Sequence, residues 1–188
     1  MLDCDMRFMA ISLTVGLLAI SGQNSGEAQH SSSFSLPSNW ALVRNDPGQA
    51  MNNGPLLKAI PRDLGEGLFG TSSVQLGLLG KAVIVSATSQ DWCGATGNCA
   101  MRVYYVDHGR YRSDDLEYGW AYAVVKGPTD VPGLMVMQNT SYRSGVVRRY
   151  SFEGGRFKQN GCYYVELKQD GGDIRNPKQV NVSPGGPC

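Results

Sequence analysis

Histidine is almost missing from this chain: there are two in 188 residues, His30 and His108. His30 sits in a serine-rich lead, which leaves His108 as the one imidazole of the remaining chain. Nucleophilic catalysis by serine or cysteine needs a base within hydrogen-bond reach, and neither a G-x-S-x-G turn nor a local Cys/His signature is present. His108, in Asp-His-Gly-Arg, reads instead as a turn residue that tolerates positive φ. Zinc needs four ligands, and Cys93, Cys99 and His108 fall short of that with a spacing wider than a zinc knuckle. C-x-x-C is absent, so a thioredoxin-type redox centre is excluded. The expectation is no catalytic residue, no metal and no cofactor.

Long apolar runs are also scarce. The longest runs from Ala10 to Ile20, preceded by Arg7 and followed by the small pair Gly26-x-Ala28. That is the charge, apolar stretch and cleavage site of a secretory signal peptide over residues 1–28, with Met6 as the expected start. Beyond it nothing approaches the roughly 20 apolar residues of a membrane span. The leader takes Arg7 from the 17 basic residues and Asp3, Asp5 and Glu27 from the 16 acidic ones, leaving a net charge of +3. That charge is too mild and scattered for a nucleic-acid partner. The chain is therefore expected to be periplasmic or secreted.

Cysteine usage agrees with export. Cys4 leaves with the leader, and Cys93, Cys99, Cys162 and Cys188 remain, an even number for an oxidising compartment. In CGATGNC (93–99) the glycines let the chain double back, so Cys93 is expected to join Cys99. Elimination then pairs Cys162 with Cys188, closing the tail onto the domain.

Residues 29–44 are serine-rich and read as a flexible lead-in, and 45–188 as one disulfide-stapled domain. From residue 74 onward, short runs such as KAVIVSAT, AMRVYYV, GLMVMQNT and CYYVELK are rich in Val, Tyr and Ile. Turn residues separate them about every ten positions, the texture of antiparallel strands. An internal likeness adds detail: VYYVDHGRYR (103–112) matches RYSFEGGRFK (149–158) at an offset of 46. Each copy turns through acid-x-Gly-Arg-aromatic, with Gly109 and Gly155 expected at positive φ. The reading is all-β: an antiparallel β-sandwich, or a folded twisted sheet, of about seven or eight strands from two hairpin repeats with little helix. Asp114-Asp115-x-Glu117 reads as a solvated loop, and the Gly/Pro/Asn-rich tail from Gly171 as a surface strap.

The strand at Val83–Ala87, the CGATGNC hairpin, the aromatic strand Arg102–Val106 and the Tyr-x-Phe-x-Gly-x-x-Phe run at Tyr150–Phe157 resemble a group of small exported bacterial β-rich proteins of unknown function. The resemblance covers about half of the chain and implies export and a β fold. The strand-loop-strand texture is also distantly similar to FG-GAP/VCBS propeller repeats. Those carry an Asp-rich calcium loop, where this chain has Leu76-Gly-Leu-Leu-Gly80 with no carboxylate.

Trp92, Tyr118, Trp120 and Tyr142 lie at expected strand ends or loops, and the first three are the candidate binding residues. The leading expectation is an exported, non-enzymatic binding or interaction module of the cell envelope, its partner an envelope protein or polysaccharide. One alternative is a carboxylate-dependent glycoside hydrolase using Asp114, Asp115 or Glu117. Another is an inhibitor of cell-wall lytic enzymes. Periplasmic lysozyme inhibitors are similar in size, export and disulfides and present a Ser-Gly-x-x-Tyr loop, whereas here Ser144-Gly145 is followed by Tyr150, two positions beyond that spacing.

Overall fold

Apolar residues at consecutive positions, as in KAVIVSA and GLMVM, suit a strand covered on both faces. Both segments fold that way. The computed structural model describes residues 34–43, 69–87 and 93–185. Among them ten strands form two antiparallel sheets. The smaller sheet holds β2 (Phe69–Gln75), β3 (Lys81–Ala87), β4 (Cys99–Asp107) and β5 (Arg110–Gly119), in that order. The larger has β6 (Ala121–Val125), β7 (Gly133–Asn139), β8 (Ser144–Glu153), β9 (Arg156–Leu167) and β10 (Val180–Pro184) as successive neighbours. Its outer edge beside β6 is β1 (Ala41–Leu42). Helix is confined to one 3-10 turn, Gly77–Leu79, among the described residues.

Strand alternation sorts the core. Ala82, Ile84, Val103, Tyr105 and Leu116 of the small sheet pack on Leu134, Val136, Tyr150 and Phe157 of the large one. On the far face of the large sheet, Met135, Met137, Val147 and Val165 form a second cluster. Leu36, from the segment before β1, and Ile174, from the connection between β9 and β10, cover that cluster.

Several expectations need correction. Ten strands replace seven or eight. The acidic stretch 114–117 is no loop; it lies in β5, where Asp114 and Leu116 point inward and their neighbours outward. Its polar outer face disguised the strand. The tail contributes β10, paired with β9 from Val180 to Pro184. Part of the expected flexible lead-in is packed: Leu36 is buried and Phe34 stacks on Tyr163. Three apolar side chains among the serines, Phe34, Leu36 and Trp40, suffice to hold it on the second cluster. The leader, Trp92 and Cys188 lie outside the described residues.

The chain changes sheets at one place. β5 ends at Gly119, opposite Cys99, and β6 begins at Ala121 in the other sheet. Trp120 bridges them, its backbone N–H donating to the Met137 carbonyl at 3.0 Å. A Cβ on Gly119 would lie 2.3 Å from Val136 Cγ1 and 2.9 Å from the Met137 oxygen. Gly119→Ala is therefore expected to cost about 2 kcal/mol by overpacking, read as a lower urea midpoint with an unchanged slope.

Candidate functional site

CGATGNC folds as a closed loop. Cys93 and Cys99 are joined by a disulfide, and Gly97 takes φ 74°. The Gly94 N–H donates to the Asn98 carbonyl at 2.8 Å and the Gly97 N–H to the Gly94 carbonyl at 2.9 Å. Closing so short a loop contributes roughly 2 kcal/mol in the chain-entropy picture. Cys162 is also disulfide-bonded; its expected partner, Cys188, lies outside the described residues. Residues 94–97 are exposed, while Asn98, 4% exposed, ties the base of the loop down. Its Nδ2 donates to the Asn139 carbonyl at 2.6 Å and to Thr96 Oγ1, while its Oδ1 accepts the Asn139 N–H at 2.8 Å. The side chain thus satisfies the peptide groups at the end of β7 as a neighbouring strand would.

The two similar turns fold alike. His108 and Gly109 take φ 48° and 74°, and Gly154 and Gly155 take 61° and 78°. Two positive central residues make each a two-residue hairpin of the I′ kind, which is the conformational role read for His108. Asp114 locks one hairpin to the other. It accepts Tyr105 Oη at 2.6 Å, the Phe157 N–H at 2.7 Å and Arg156 Nε at 2.8 Å. A carboxylate so engaged, in a residue 4% exposed, is a structural clasp.

Asp115 and Glu117 line an open cleft of about 240 Å³ with Arg102 and Tyr118, above Val85 and Ala87. Asp115 is paired with Arg102. β5 bulges here, with Arg102 opposite Asp115 and Ala100 opposite Tyr118, and Glu117 takes φ 60°. Non-glycine residues resist that conformation by about 1–2 kcal/mol, and glycine's extra unfolded-state freedom offsets part of it. Glu117→Gly is expected to stabilise by about 0.5–1 kcal/mol, seen as a higher melting temperature. A clear loss of stability instead would mean that the Glu117 side chain holds a neighbour in place.

Trp120 lines a different cleft, of about 380 Å³, together with Asn139, Ser141, Tyr142, Asp173 and Arg175. The connection between β9 and β10 builds its wall. Ile174 anchors that connection in the second cluster, and the Lys168 N–H closes its base on the Gln179 carbonyl at 2.9 Å. Arg175 forks onto Asp173, Nε to Oδ1 at 2.9 Å and Nη2 to Oδ2 at 2.8 Å. The guanidinium lies 5.4 Å from the Trp120 ring centroid. The hydrogen bond from Arg175, more than proximity of charge, holds the Asp173 carboxyl below its ordinary value of 3.8. Tyr142 stands 83% exposed at the rim. A second cleft of about 240 Å³, with Ser38, Trp40, Asn176 and Pro177, shares Asp173 and Arg175.

Of the three residues singled out from sequence, Trp92 lies outside the described residues, and Tyr118 and Trp120 line separate clefts. Two positions apart on a continuous strand they would share a face; the change of sheet after Gly119 parts them. Tyr142 was noted only as a further aromatic at an expected strand end or loop, and Asp173 and Arg175 were not singled out. Asp-x-Arg in a glycine-rich tail is too common a pattern to stand out, and its meaning comes from Trp120, 55 positions upstream of Arg175.

No family model matches this chain, and comparison with curated proteins and with solved structures finds no similar protein. Among the described residues no helix is long and apolar enough to cross a membrane.

Proposed function

We propose that the chain is an exported, non-enzymatic binding module of the cell envelope, and that its ligand lies in the cleft between Trp120, Tyr142 and the Asp173–Arg175 pair. The observation that carries this is the pre-arranged ion pair over the Trp120 ring, at the mouth of an open cleft. A fixed guanidinium and carboxylate beside a fully presented tyrosine lose little freedom when a ligand arrives. The cleft's volume falls within the roughly 300–1,000 Å³ of ordinary ligand sites. The disulfides and the leader support the envelope as its place.

The alternatives have less support. Asp114 is consumed by its three hydrogen bonds, so a hydrolase would have to work with Asp115 and Glu117 alone. Ser144, Gly145 and Tyr150 all lie in β8, with Gly145 paired to Asn139 and Val165 and Tyr150 buried, so they present no inhibitor loop.

The test is amide and indole NMR of the chain from Gln29, titrated with solubilised envelope polysaccharide and, separately, envelope protein. Shifts at Trp120, Asn139–Tyr142 and Gly171–Arg175 that vanish in Tyr142→Ala support the site. Shifts centred on Glu117 and Tyr118 would move it to the other cleft. Cell fractionation that finds the protein cytoplasmic with Cys93 and Cys99 reduced would refute export.

A further inference from the structure

We infer that the ligand of this cleft is a neutral oligosaccharide long enough to reach across the Asp173–Arg175 pair into the adjoining cleft. The inference rests on the binding-module reading above and adds the ligand's chemistry. Charge comes first. Among the described residues, Asp173 and Arg175 are the only charged side chains lining either cleft, and they are paired with each other. A charged ligand attracted by one member would meet the like charge of the other within the same fork, whereas an uncharged one meets no uncompensated charge.

Hydrogen bonding comes second. The remaining polar lining is Asn139 and Tyr142 on one side and Ser38 and Asn176 on the other, the Ser141 hydroxyl being taken up by Ser144 and the Arg143 N–H. Amides and hydroxyls both donate and accept, as sugar hydroxyls do. The ion pair extends the match on one side: the Asp173 carboxylate is filled by four hydrogen bonds from Arg175, but the guanidinium keeps N–H groups beyond them. A sugar hydroxyl can accept from these. Each cleft is also flanked by an indole, Trp120 or Trp40, whose N–H is buried and has no partner among the described residues.

Shape comes third. The Tyr142 ring offers a flat apolar platform at the rim for the C–H face of a pyranose. The two clefts share one ion pair, so a chain lying across it would engage both. A single-stranded nucleic acid also stacks on aromatic rings, but it needs a positively charged groove for its phosphates, and this lining has no net charge.

The experiment uses the chain from Gln29 and four probes at equal concentration: chitotetraose, cellotetraose, a neutral tetrapeptide and oligo-dT. Binding is read by tryptophan fluorescence, and its place by the Trp120 indole and Asn139–Tyr142 amide signals. Expected is binding of at least one tetrasaccharide, about tenfold tighter than its monosaccharide, with Tyr142→Ala and Arg175→Ala each weakening it about tenfold or more. Cleft signals that move only with the peptide or the oligonucleotide overturn the saccharide and leave the site standing. Tetrasaccharide shifts centred on Glu117 and Tyr118 overturn both. Silence of both sugars up to millimolar concentration overturns the saccharide class.

Discussion

Asp114→Ala should lower the stability of the fold by about 3–4 kcal/mol. The estimate follows from what each of its three partners loses. The Phe157 N–H, in a residue 5% exposed, is left with no acceptor at the start of β9. Tyr105 Oη loses its shorter bond but keeps the Gly155 carbonyl at 3.1 Å. Arg156, whose side chain is 62% exposed, returns to water. The cost therefore falls on the buried backbone donor and on the space left between hairpins, and little of it on the ion pair. Arg156→Ala is accordingly expected to be far milder, and Asp114→Asn intermediate, because an amide oxygen can still accept from Phe157. Equal losses in Asp114→Ala and Arg156→Ala by urea unfolding would show that the salt bridge is the clasp. The same network sets the alkaline limit. Burial, and then the hydrogen bond to Asp114, raises the Tyr105 phenol well above its ordinary 10.0; burial does the same for Tyr150. A phenol whose pKa is raised on folding contributes stability below its unfolded pKa and loses it as pH rises toward the folded one. Stability should thus fall steadily above about pH 10, with Tyr105 and Tyr150 ionising only as the protein unfolds. Ionisation of both in the folded protein at moderate alkaline pH would refute this.

How far the sequence foretold the molecule depends on the range of each interaction. The two turns were legible because their signal is local: Asp-His-Gly-Arg and Glu-Gly-Gly-Arg place small or αL-tolerant residues where a I′ hairpin needs them, and φ is positive there. The Cys93–Cys99 bridge was legible for the same reason. β3 and β7 were visible as apolar runs because both of their faces are covered. β5 was not, since RYRSDDLEYG buries only Asp114, Leu116 and Gly119 and carries residues poor in strand propensity. Asp114 itself could not be told from Asp115, because its partners Arg156 and Phe157 lie 42 and 43 residues away. The candidate site failed to assemble from sequence for a geometric reason. Trp120 belongs with Arg175 because the chain changes sheets at Gly119, and that change is enforced by atoms of β7.

Asn98→Ala should cost about 3 kcal/mol and loosen the cleft as well as the fold. The Asn98 side chain meets both peptide groups of Asn139 and Thr96 Oγ1, using its oxygen and both amide hydrogens. Truncation leaves the Asn139 N–H and carbonyl unmatched at a site that excludes solvent on the Asn98 side, and each such group costs about 1–3 kcal/mol. Asn98→Asp separates the two halves of the contact: it can still accept the Asn139 N–H but sets a carboxylate against the Asn139 carbonyl, so it should lie near Asn98→Ala. Asn139 lines the cleft beside Trp120 and Tyr142, so the stapled loop acts on the site through Asn98. Two measurements check this. In a double-mutant cycle, Cys93→Ala/Cys99→Ala and Asn98→Ala should be non-additive, because opening the loop already weakens the Asn98 contact. By NMR, the Asn139–Tyr142 amides should shift and broaden in Asn98→Ala while those around Asp114 stay in place. Additive losses with an unchanged Asn139 amide would reduce the loop to a local staple with no bearing on the cleft.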